Sequence, residues 1–134
     1  MSRQFVFGLV TWLIDLVWAA LLLGFSMPAQ AQGRLMAADL GLLINTADPY
    51  SVTVGETYAQ RRGIPEANVL RVSLPVQPRL SQAEFEALDA QVRQHLGPAV
   101  QALALAWTQP YAVECNSITA ALAMGFQPEI CKQT

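Results

Sequence analysis

Between residues 40 and 107, short apolar runs alternate with two longer segments punctuated as helices at both ends, and this alternation limits the folds open to the chain. The run Leu40-Gly41-Leu42-Leu43-Ile44 is continuous and apolar and stops at the turn-rich Asn45-Thr46-Ala47-Asp48-Pro49. A strand covered on both faces reads this way. Segment 51–62 is predicted helical, with Ser51 as N-cap, Val54 and Tyr58 spaced i,i+4, Arg61 and Arg62 in the last turn, and Gly63, Ile64 and Pro65 closing it. Segment 68–72 is a second strand, followed by the Pro-rich stretch through Pro78. Ser81 and Glu84 then form a capping box, with Leu80 and Phe85 as its hydrophobic staple. Phe85, Leu88, Val92 and Leu96 mark one helix face before Gly97-Pro98 ends it. Segment 102–107 is rich in alanine and leucine, which favour helix, yet it is short and bounded by Gly97-Pro98 and Gln109-Pro110. It is read as a third strand ending at Trp107. A third helix is expected over 116–124, capped by Asn116 or Ser117 and stopped by Gly125.

This order predicts an α/β fold: a three-stranded parallel sheet with βαβ crossovers, reading as part of a larger doubly wound (Rossmann-like) domain after an N-terminal signal helix. One sheet edge is left for something else to cover.

The start of the chain speaks to compartment. Arg3 precedes an apolar stretch over 5–27, and Ala29 and Ala31 follow Pro28 in the A-x-A arrangement of a signal-peptidase site. Residues 1–31 are therefore read as a signal peptide and 32–134 as one α/β domain, exported to the periplasm or secreted. The alternative is an inner-membrane anchor formed by residues 5–27, since a span needs ~20 residues; against it, Asp15 inside the run costs ~2.5–3.5 kcal/mol at a helix centre. A membrane enters only if that segment is retained. The formal net charge is −2, and no basic patch with interleaved aromatics argues for nucleic acid. Cys115 and Cys131 flank the expected third helix. In an oxidising compartment such a pair is most simply a disulfide, worth ~3 kcal/mol in the chain-entropy model, although two cysteines alone leave the pairing open.

The blocks Leu42-Leu43-Ile44-Asn45, Asp48-Pro49-Tyr50-Ser51-Val52 and Tyr58-Ala59-Gln60-Arg61-Arg62-Gly63-Ile64-Pro65-Glu66-Ala67-Asn68-Val69 resemble a family of uncharacterised exported bacterial proteins, found in bacteria that carry exosortase protein-sorting systems. Cys115-Asn116-Ser117-Ile118-Thr119, leading to Met124-Gly125-Phe126, resembles the next block of that family. The resemblance implies export and an α/β fold, with no reaction attached. It matches the N-terminal part of longer family members.

In an open parallel sheet, ligands bind beyond the carboxyl ends of the strands. The candidate ligand rim is Asn45, Asp48, Thr108, Gln109, Tyr111 and Glu114, with Thr46, Ser73 and Cys115 close by in sequence. Asn45 and Asp48 also suit plain turn and capping roles. No glycine-rich phosphate loop is present and the chain holds a single histidine, so neither a cofactor nor a metal is expected. Cys115 is the one candidate nucleophile, placed ahead of a helix N-terminus. Its only possible base, His95, falls in the last turn of the second helix, which leads to the opposite rim. Trp107 and Tyr111 suit core cover or a pocket floor. The leading expectation is an exported, non-catalytic module engaging an envelope protein or a small ligand. The alternative is a hydrolase of the caspase-like cysteine peptidase type, with its base outside this chain.

Overall fold

The central strand of the sheet is β1 (Leu40–Asn45), in which every residue after Leu40 is buried. The structure is a computed structural model and describes residues 34–132. The predicted signal peptide (1–31), its cleavage after Ala31 and the alternative anchor at 5–27 lie outside the described residues. β2 (Val69–Val72) and β4 (Ala102–Leu105) flank β1, both parallel to it, giving the order β2-β1-β4. The chain is thus mixed α/β with a three-stranded parallel sheet. Among the described residues no helix is long and apolar enough to cross a membrane.

The connections run through α1 (Pro49–Arg62), between β1 and β2, and α2 (Gln82–His95), between β2 and β4. Alternation along β1 sorts the two helices onto opposite faces of the sheet. Leu42 and Ile44 share a cluster with Val69, Ile64 and Ala106, against which Val52, Tyr58 and Ala59 of α1 pack. Leu43 points the other way, joining Leu70, Val72 and the α2 residues Phe85, Leu88 and Val92.

α1 begins two residues before the predicted 51–62. Its N-cap is Asp48, whose side chain accepts from the Tyr50 N–H at 3.0 Å, and not Ser51. Pro49 has no N–H to satisfy and a preset φ, so it takes the first helical position and moves the cap upstream. The helix ends in a Schellman motif: Ile64 N–H bonds Ala59 O at 3.0 Å, Gly63 N–H bonds Gln60 O at 3.3 Å, and Gly63 takes φ 64°. Its buried face also differs from the expected one, since Val54 is exposed while Ser51 and Gly55 are buried. Gly55 sits where α1 comes closest to β1. A Cβ there would meet Ile44 Cγ1 at 2.5 Å and Ala106 Cβ at 3.2 Å.

α2 has the capping box read from the sequence. Ser81 Oγ accepts from Glu84 N–H at 3.3 Å, while Glu84 Oε2 accepts from Ser81 N–H at 2.7 Å. The Ser81 backbone N–H first, and then the Ser81 hydroxyl, which donates to Glu84 Oε2 at 2.7 Å, hold the Glu84 carboxyl below the usual glutamate range.

Three two-residue strands that the sequence reading lacked make a second sheet. β3 (Arg79–Leu80) pairs parallel with β5 (Ala112–Val113), which pairs antiparallel with β6 (Asn116–Ser117). β6 occupies the first two positions of the predicted third helix, so α3 spans Ile118–Met124 with Ser117 as its cap. A single turn, α4 (Pro128–Cys131), follows. The third main strand stops at Leu105, not Trp107. Ala106 still donates to Leu43 O at 2.9 Å, but Trp107 turns into the core.

Gly55→Ala forces α1 off the sheet: the clash with Ile44 outweighs the helix-propensity gain of up to ~1 kcal/mol, and urea denaturation is expected to show a net loss of about 1–2 kcal/mol. Because the Glu84 carboxyl is lowered in the folded state, its share of stability is full above the ordinary glutamate range. That share is lost as pH falls through the lowered value. The acid limb of a stability-pH curve for Glu84→Gln is expected to be shallower there than that of the unsubstituted chain.

Candidate functional site

The strand order places the topological switch point between the carboxyl ends of β1 and β4, because the chain leaves β1 toward β2 and then crosses to the other side. Two of the rim residues predicted there are committed to holding the fold. Asn45 is 0% exposed. Its side-chain N–H donates to Leu74 O at 3.1 Å, its side-chain oxygen accepts from Leu74 N–H at 2.9 Å and Ala47 N–H at 3.2 Å, and its backbone N–H donates to Ser51 Oγ at 2.8 Å. One amide thus ties the end of β1 to the segment after β2. Asp48 is spent on capping α1, and Thr46 Oγ1 donates to Val72 O at 3.0 Å.

The remaining rim residues sit on the segment that leads from β4 to the second sheet. The Trp107 indole N–H donates to Pro110 O at 2.9 Å, and Pro110, which follows a cis bond to Gln109, is fully buried. Trp107 is therefore core cover. Thr108 and Glu114 are exposed and Gln109 is half-buried. Tyr111 is 55% exposed. Glu114 takes φ 50° in the β5–β6 turn, a left-handed conformation costing a side-chain-bearing residue roughly 1–2 kcal/mol.

Cys115 and Cys131 are joined by a disulfide, with their Cα atoms 5.3 Å apart. A disulfide sulfur is not a thiolate, so the Cys115 nucleophile has no reactive form in this structure. His95 closes α2 and lines a shallow cleft with Gln91 and Gln94 of that helix and Leu70 of β2. Among the described residues no three His, Cys, Asp or Glu side chains gather as a metal site would require.

A further concavity lies away from the rim. A groove of about 460 Å³ runs beside the free edge of β4, walled by Val92 and Leu96 of α2, by Leu103 and Leu105 of β4, and by Thr119 and Leu122 of α3. Most of its wall is apolar, with Arg93 at one side held by Asp89 at 2.7 Å. The sequence signal for it was the uncovered edge; the α3 wall had no signal, because it depends on the second sheet turning the chain back over α2.

Comparison of the chain with family models, with curated proteins and with solved structures finds no match.

The Asn45 bonds set a structural expectation. Asn45→Ala leaves Leu74 N–H and C=O without their buried partners and is expected to cost about 3 kcal/mol in chemical denaturation. Thr108→Ala, on the same rim but exposed, is expected to stay within about 0.5 kcal/mol of the unsubstituted chain.

Proposed function

We propose that this domain is an exported, non-catalytic module that takes up a strand from another polypeptide of the cell envelope at the open edge of β4. The observation that carries the reading is the combination of an unprotected sheet edge with an apolar groove alongside it. Among the described residues β4 pairs with β1 alone. Its sequence, Ala-Leu-Ala-Leu, contains no charge and no proline, the devices by which proteins usually keep an edge from pairing. An outer row of backbone donors and acceptors is matched by the ladder of an incoming strand and by little else. The occupant's alternate side chains then meet the groove where Leu103, 36% exposed, stands next to Leu105. With only four residues in β4 the ladder is short, so the groove supplies much of the affinity.

Export rests on the sequence of residues 1–31 and on the family resemblance. A disulfide between the two cysteines accords with an oxidising compartment. The hydrolase alternative needs a free Cys115 and a base, and no observation favours it over strand uptake.

The probe is a fluorescein-labelled synthetic peptide of about ten alternating valine and threonine residues with a terminal lysine pair, long enough for one strand. Saturable binding is expected by fluorescence anisotropy, and Leu103→Lys, which puts a charge on the edge strand at a position 36% exposed, is expected to weaken it at least about tenfold. Absence of saturable binding, or an unchanged affinity in Leu103→Lys, overturns the proposal. Sedimentation of the unsubstituted chain as a dimer that Leu103→Lys dissociates would identify a second copy as the occupant and overturn the envelope partner.

A further inference from the structure

We infer that the Cys115–Cys131 disulfide is a redox clasp on the α3 wall of the groove, opened by a dithiol reductant while the parallel sheet stays folded. The inference stands on the local architecture and does not depend on what the groove binds.

α3 has seven residues, too few for a helix to persist on its own propensity. Its anchorage includes Ile118 and Ala121 in the core, Leu122 partly buried beside them, the Ile118 N–H that donates to Tyr111 O at 2.9 Å, and the Ser117 cap that accepts from Ala120 N–H at 3.1 Å. After Gly125 the chain turns back, Phe126 packs on the core edge, and α4 contributes no buried residue. Asn116, 5% exposed, holds this return segment from inside. Its side-chain N–H donates to Gln127 O at 3.1 Å and its side-chain oxygen accepts from Gln127 N–H at 3.4 Å. The disulfide closes the loop at a sequence separation of 16, so that β6, α3 and α4 all lie inside the closed ring. β1, β2, β4, α1 and α2 all lie outside it.

The clasp is also placed for exchange. Cys115 is exposed and Cys131 half-buried. A thiolate of the reductant attacks Cys115 Sγ, forming a mixed disulfide and releasing Cys131 as the thiolate. The second thiol of the reductant then displaces Cys115, so that two electrons and two protons pass from the reductant to the protein, giving two protein thiols and the reductant as its own disulfide. The Asn116 side-chain N–H lies 3.4 Å from Cys115 Sγ and 3.7 Å from Cys131 Sγ, a donor ready for the negative charge on either departing sulfur. Once the ring is open, α3 retains its few core contacts but loses the constraint on its unfolded alternatives.

The test uses the full chain, oxidised or treated with dithiothreitol, and follows amide hydrogen exchange by mass spectrometry. On reduction, exchange across α3 and residues 126–131 is expected to accelerate by about tenfold to a hundredfold, with β1 and α1 changed less than about twofold. The Cys115→Ser/Cys131→Ser double variant is expected to match the reduced chain, which separates loss of the bond from side effects of the reductant. Unchanged exchange in α3 in both the reduced chain and the double variant would show that the bond holds nothing. Acceleration of β1 and α1 equal to that of α3 would show a global staple, and a bond that resists dithiothreitol until the chain unfolds would show it inaccessible. Each of the three overturns the inference.

Discussion

Burial of β1 on both faces, with a parallel partner on each edge, is the constraint to which the rest of the molecule answers. A strand in that position has no face left for a polar side chain, and its run from Gly41 to Ile44 has none. Leu42 and Ile44 demand a cover on one side and Leu43 on the other, which is why successive crossover helices go to opposite faces. The polar residue at its end, Asn45, is tolerated because its side-chain amide is bonded to the backbone of Leu74 and Ala47.

That arrangement uses up polar groups at one end of the sheet. In parallel folds of this order the carboxyl-end crevice at the switch point is the usual ligand site. Here Asn45, Thr46 and Asp48 on one side of it are engaged in bonds to backbone groups, and Trp107 on the other side is folded into the core. Asn45, Thr46 and Asp48 act there as mortar, while Thr108, Tyr111 and Glu114 on the same rim are exposed. Along the side of the sheet, β4 and the helices α2 and α3 frame a largely apolar groove.

Legibility in the sequence followed the length of the pattern. The α2 capping box, staple and buried face at Phe85, Leu88 and Val92 were readable because they repeat over a full fourteen-residue helix. The buried face of α1 was not, because its closest approach uses Gly55, a residue that carries no hydrophobic signal and matters through the side chain it lacks. Its start was missed by two residues, since Ser51 has the chemistry of a cap but its hydroxyl serves β1, accepting from Asn45 N–H. β3, β5 and β6 are two residues each, shorter than any period that a pattern can show.

Local chemistry along the chain was enough to specify an α/β alternation, the parallel sheet and its open edge, because capping, apolar runs and breakers act within a few residues of one another. Which rim groups are consumed by the fold, and the groove wall that α3 supplies, came from contacts between residues distant in sequence. Asn45 meets Leu74 across 29 positions, and Cys115 meets Cys131 across 16. Pairings of that kind depend on how packed layers bring backbone and side chains within hydrogen-bonding or bonding distance, and no periodicity along one strand or helix encodes them.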